Sequence, residues 1–204
     1  MPRMVRTLNH RGPDATGSRQ IGRCLLGSAR LSIIDLESGD QPMKTEGDRY
    51  TIVYNGEIYN YREIRRYLAQ NGSIFRTQSD TEVVLQGYAA LGPGILDKLN
   101  GIFAIAIWDS QQGTLFLARD HMGVKPLYYS VSNNVVVFGS EIKAIFESGL
   151  VPKRVNKESI FHHLCRQEPM YLETMFEGVR ELEPGTWMEV GQSGTVRTGT
   201  YFRI

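Results

Sequence analysis

Residues 102–108, Ile-Phe-Ala-Ile-Ala-Ile-Trp, form the longest apolar run of the chain, and Ser110-Gln111-Gln112-Gly113 separates it from a second run at 114–118. The first run is far too short to cross a bilayer and has the length of a buried strand. The polar, glycine-ended spacer reads as a hairpin loop, which commits this stretch to two adjacent antiparallel strands. Residues 50–54 alternate with β-branched side chains as a strand does, and Asn55 is expected where that strand ends. Leu25-Leu26, then Leu31, Ile33, Ile34 and Leu36, read as extended structure interrupted near Gly27-Ser28. Further strands are expected at 127–131 and 135–138, turning at Asn133-Asn134, and at 186–190 and 196–202.

Helical spacing intervenes between these strands. Ile64 and Leu68 recur among Arg62, Glu63, Arg65 and Arg66, and Asn71-Gly72 supplies a stop, so residues 61–68 predict a surface helix with one buried stripe. Ser79-Asp80-Thr81-Glu82 has the capping-box pattern ahead of Val83, Val84, Leu85, Tyr88 and Leu91, which predicts a helix ending near Gly92-Pro93. A helical patch at 95–99, a helix capped by Ser140 and ending at Gly149, and a last helix at 157–164 complete the set. With no repeat or low-complexity linker, residues 1–204 read as one α+β domain with antiparallel strands.

Composition narrows the function. The 23 basic and 22 acidic residues nearly cancel, and no Lys/Arg run exceeds Arg65-Arg66, so nothing predicts nucleic-acid or membrane binding. A small molecule is the better expectation. Cys24 and Cys165 are distant and form no CxxC pair, which suits a reducing cytoplasm and buried thiols. His162-His163 points in two directions on a predicted helix and no HExxH spacing occurs, so no metal centre is expected.

Three short segments carry chemistry: His10-Arg11-Gly12-Pro13-Asp14, Tyr54-Asn55-Gly56-Glu57-Ile58-Tyr59-Asn60 and Ser79-Asp80-Thr81-Glu82. An arginine within the apolar segment Ala29-Arg30-Leu31-Ser32-Ile33-Ile34 needs an anion if buried, an internal one such as Asp35 or a ligand, unless it stands at an exposed edge. Asn-Gly by itself is a common turn dipeptide. Asp80 by itself is favourable charge at a helix N-terminus. Together, and with Arg119 to Tyr129 and Phe138 to Ala144 in the same order, these segments resemble the glutamine amidotransferase domain of asparagine synthetases and their relatives, an N-terminal-nucleophile hydrolase.

That resemblance implies a four-layer α/β/β/α sandwich of two antiparallel sheets. It implies L-glutamine as substrate, with Arg30 on its carboxylate, Glu57 and Asp80 on its ammonium, and Leu31, Ser32, Ile33 and Ile34 lining the pocket. Asn55, through its side-chain amide, and Gly56, through its N–H, would form the oxyanion hole. His10 and His121 would be structural or pocket-wall residues. ATP, Mg²⁺ and aspartate are implied only for a synthetase domain, supplied in cis or in trans, and a homodimer is compatible with the pattern.

The family nucleophile is an N-terminal cysteine whose own α-amine shuttles the proton, a balanced exchange because the two groups have reference pKa values of about 8.5 and about 7.7–8.0. This chain begins Met1-Pro2-Arg3, so as written it is expected not to hydrolyse glutamine. Met4, Val5 and Leu8 resemble the last turns of the helix that in the family follows the nucleophile's strand. Two accounts stand open: a chain lacking roughly twenty upstream residues, the usual length of one strand plus one helix, or a non-catalytic glutamine-binding or protein-interaction module.

Overall fold

The hairpin predicted around residues 110–113 lies at the centre of a six-stranded antiparallel sheet. The computed structural model describes residues 1–31, 39–132, 134–166 and 172–203. In chain order they form α1 (Pro2–Thr7), β1 (Ala15–Ile21), β2 (Cys24–Arg30), β3 (Met43–Lys44), β4 (Tyr50–Ile58), α2 (Tyr61–Gln70), α3 (Asp80–Leu91), β5 (Gly101–Asp109) and β6 (Thr114–Arg119). There follow β7 (Tyr128–Ser132), β8 (Val135–Gly139), α4 (Ile142–Phe146), α5 (Lys157–Arg166), β9 (Arg180–Glu181), β10 (Thr186–Val190) and β11 (Val196–Thr200). The large sheet runs β11-β10-β6-β5-β4-β3, and two smaller ladders, β1-β2 and β8-β7-β9, complete the described strands.

Four layers follow from where the apolar side chains go. Ile52, Tyr54 and Ile58 of β4 and Phe103, Ile105 and Ile107 of β5 pack against Ile64 and Leu68 of α2 and Val83, Val84 and Leu85 of α3. The alternate residues Val53, Ala104, Ala106 and Trp108 face the other way, onto Cys24 and Leu26 of β2, with Val136 and Phe138 of β8 against the same cluster. A third cluster joins Val137 of β8 to Ile145 of α4, with Met4 of α1 against it. This is the period of two used on both faces of one sheet, and it gives the expected α+β sandwich of helices outside antiparallel sheets.

Several expectations are corrected. β2 runs unbroken through Gly27-Ser28, because its partner β1 pairs with every residue from Ala15↔Arg30 to Ile21↔Cys24. Asn55 does not end its strand: the β4–β5 ladder continues through Asn55↔Ala104 and Gly56↔Phe103 to Ile58↔Gly101. Asn-Gly is therefore not a turn here. Ser79 does cap α3, accepting from Glu82 N at 3.2 Å, but Glu82 returns its carboxylate to Arg76 N and Thr77 N rather than to the cap. Glu141 rather than Ser140 occupies the N-cap of α4. Ile33, Ile34, Leu36 and Asn133 lie outside the described residues.

Candidate active site

The site begins on the outer edge of β4. β3 pairs with β4 only at Ile52 and Thr51, so residues 53–58 have a strand on one side alone. On that side Gly56 stands opposite Phe103. The N–H of Phe103 donates the other way, to Asp120 Oδ2 at 3.2 Å, and its carbonyl accepts from Asp120 N at 2.8 Å. Gly56 is thus in a non-hydrogen-bonded pair, and its N–H points out from the sheet edge.

Strand periodicity puts the N–H groups of Tyr54 and Ile58 on the same edge. Side chains cap both: Tyr54 N donates to Gln41 Oε1 at 2.7 Å and Ile58 N to Asp80 Oδ2 at 3.1 Å. Between them the Gly56 N–H has no partner among the described residues. Gly56, Gln41 and Asp80 all line one cavity of about 770 Å³. Glycine is required here by β5: an added Cβ would lie 2.2 Å from Ile102 O and 2.7 Å from Phe103 Cα.

Asn55 and Glu57 share the opposite pleat with Val53, half-buried and exposed respectively, and both line the cavity. Arg30, the last residue of β2, and the exposed Leu31 line it as well. The anion expected for Arg30 is present internally: its Nη1 lies 3.4 Å from Asp40 Oδ1. The Arg30 side chain is 11% exposed and that of Asp40 84%. So long a contact to a solvated carboxylate is weak. Asp35, Ser32, Ile33 and Ile34 lie outside the described residues.

Asp80 opens α3 and is only 5% exposed. Its Oδ2 accepts both from Ile58 N and from the Tyr54 hydroxyl, the latter at 2.8 Å. Burial, then the neighbouring Asp80 charge, pushes the Tyr54 hydroxyl well above the usual tyrosine range, so it stays protonated and donates. The residues named here thus bring to one cavity the Arg30 guanidinium, the Asn55 side-chain amide, the unpaired Gly56 N–H and the carboxylates of Glu57 and Asp80.

The first motif serves the scaffold. His10 Nε2 lies 2.7 Å from Glu141 Oε1, and Arg11 Nε donates to the same oxygen. Burial alone would raise the Glu141 carboxyl; the hydrogen bonds from Lys143, Arg11 and His10 outweigh it and hold the group at about 2. Gly12 passes under β2, where a Cβ would meet Ala29 O at 2.3 Å, and Asp14 N donates to Arg30 O at 3.1 Å. The segment thus fixes the end of β2 that carries Arg30. His121 packs edge-on against Phe103, Tyr201 and Phe202 and is structural.

Neither cysteine is poised as a nucleophile. Cys24 faces the cavity from β2, but burial pushes its thiol up to about 12, so it is un-ionised at neutral pH. Cys165 is exposed on α5 and does not line the cavity. Among the described residues no group of three His, Cys, Asp or Glu could hold a metal, and no helix is long and apolar enough to cross a membrane.

Gln41 is a site residue that the sequence did not reveal, and Thr81 of the third motif was given no role of its own. Gln41 Nε2 contacts Thr81 Oγ1 at 3.4 Å while its Oε1 caps β4. A glutamine in a polar loop carries no local signal of that role. Tyr54 opens the second motif, but the sequence assigned its hydroxyl no role.

Residues 1–202 match the family described as a glutamine amidotransferase domain. The chain is 39% identical over 197 residues to asparagine synthetase [glutamine-hydrolyzing] 3 of Bacillus subtilis, covering 95% of this chain and 32% of that protein. It is 38% identical over 143 residues to asparagine synthetase B [glutamine-hydrolyzing] of Escherichia coli, covering 70% of this chain and 26% of that one. It thus spans a third or less of these relatives' length. Among solved structures, the glutamine phosphoribosylpyrophosphate amidotransferase of B. subtilis superposes with a TM-score of 0.69 at 21% identity, over 98% of this chain and 45% of the other, a likeness of fold.

Proposed function

Because the chain belongs to the glutamine amidotransferase domain family, we propose that its cavity binds L-glutamine beside the outer edge of β4 and supports hydrolysis of the side-chain amide. The observation that carries this reading is the unpaired Gly56 N–H, held between two N–H groups that are already capped and facing the same cavity as Arg30, Asn55 and Asp80. Arg30, which lines the cavity, takes the α-carboxylate through its planar guanidinium fork. Asp80, with Glu57 at the rim, takes the α-ammonium. The amide carbonyl then lies against Gly56 N–H and the Asn55 side-chain amide, which stabilise the oxyanion as the carbon becomes tetrahedral.

The reaction takes a cysteine nucleophile whose own α-amine takes the thiol proton and returns it to the leaving ammonia. Cys24, protonated and part of the β-sheet core, does not substitute for it. The released nitrogen goes to aspartate or a related acid on a synthetase domain, in cis or in trans, in the cytoplasm. ATP and Mg²⁺ belong to that domain; the described residues of this chain offer no donor cluster for the metal, and no step above runs through it.

The test is glutaminase activity in the protein isolated with its native N-terminus. Asn55→Ala is expected to lower kcat by about 100- to 1,000-fold, read as glutamate released per minute. Full activity in that variant would remove Asn55 from the oxyanion hole. Glutamine binding without turnover by the native protein would instead favour the non-catalytic module.

A further inference from the structure

The carboxylate assigned to the substrate ammonium is itself held, by a motif residue to which the resemblance assigns no role. Tyr54 lies on the helix-facing pleat of β4, its ring within the core cluster beside Ile52, Val83 and Val84. It is 8% exposed, and its hydroxyl reaches Asp80 Oδ2 at 2.8 Å. Ile58 N donates to that same oxygen at 3.1 Å. Both donors therefore converge on one side of the carboxylate, and no hydrogen bond of the described residues goes to Oδ1.

A lone carboxylate at the start of a helix can rotate about its last bond and satisfy itself with any nearby N–H. Two donors on one oxygen fix that rotation and leave the second oxygen directed away from them, on a residue that lines the cavity. We propose that Tyr54 is a positioning residue for substrate selection: its hydroxyl locks Asp80 so that Oδ1 meets the α-ammonium of an amino-acid substrate. This rests on the glutamine-pocket reading above. The same hydroxyl stays a donor across the working pH range, because burial and the adjacent charge keep it protonated.

Tyr54→Phe deletes only the hydroxyl and keeps the ring in its apolar cluster. The discriminating probe is a pair of ligands, L-glutamine and its analogue lacking the α-amino group, 5-amino-5-oxopentanoate, titrated calorimetrically into the native protein and the variant. The native protein is expected to prefer glutamine. Tyr54→Phe should weaken glutamine binding on the order of tenfold and leave the affinity for the des-amino analogue unchanged. A general loosening of the fold would weaken both ligands alike, and that result, or unchanged glutamine affinity, overturns the assignment of Tyr54 while leaving the pocket intact. Failure of the native protein to bind glutamine would overturn the pocket reading and this inference with it.

Discussion

Asp80 and Asp120 are both buried, 5% and 1% exposed, and both stand next to the central strands of the large sheet. Their surroundings differ in one respect. Asp120 is saturated: Met122 N and Val124 N donate to Oδ1, Phe103 N and Lys125 N to Oδ2. The adjacent Arg119 is likewise spent on the carbonyls of Gly123, Lys125 and Leu182 and on Glu181. Asp80 receives its two donors on one oxygen and lines the cavity. A buried charge must be compensated, and the comparison shows two ways of doing it: Asp120 completes its shell with main chain and organises the loop 120–127, whereas Asp80 leaves valence that a cation can fill.

If that contrast is right, the largest effect belongs to Asp120. Asp120→Ala leaves four N–H groups without their acceptor, the buried one of Phe103 and the part-buried ones of Met122, Val124 and Lys125, and should destabilise the fold by about 3–5 kcal/mol, measured by urea denaturation. A loss below about 1 kcal/mol would break the contrast from the structural side. Asp80→Asn keeps an acceptor for Tyr54 and Ile58 but removes the charge. It should cost about 2 kcal/mol of glutamine binding, roughly thirtyfold, with little change in the denaturation midpoint. Equal effects of the two substitutions on stability would show that Asp80 is a second structural carboxylate.

Glu141 sharpens the comparison at the small end. Its partners are the side chains of His10, Arg11 and Lys143 rather than main-chain N–H groups, and it is partly solvated. Glu141→Gln should cost less than about 1 kcal/mol at neutral pH. The folded-state pKa of Glu141 is depressed from 4.5 to about 2, so its contribution is present above 4.5 and fades as pH falls towards about 2. The gap in melting temperature between native protein and variant should close over that window. A gap that persists at the acid end would assign the effect to packing instead.

What the sequence made legible divides along the same line between local and distant causes. β5, β6 and their loop were readable because an apolar run and a glycine-ended spacer are local signals. The course of β4 through Asn55-Gly56 was not, because the local preference of Asn-Gly for a turn is overridden by a ladder to β5 that extends to Ile58↔Gly101. β1 escaped notice because Ala15–Ile21 is mostly polar and solvated, and β3 and β9 are two residues each. The motifs named Arg30, Asn55, Gly56, Glu57 and Asp80, and the fold brings all five to one cavity. Gln41 and the hydroxyl of Tyr54 join them through contacts to residues distant in sequence, which no spacing encodes.

This edge of β4 is proposed as the site for the amino-acid end and the amide of one glutamine molecule. A crystal structure of the protein with L-glutamine tests it most directly. The account predicts the ammonium at hydrogen-bond distance from Asp80 Oδ1, the carboxylate on Arg30 and the amide oxygen facing Gly56 N–H. Glutamine bound in the reverse orientation, or elsewhere with Gly56 N–H still unpaired, would contradict it.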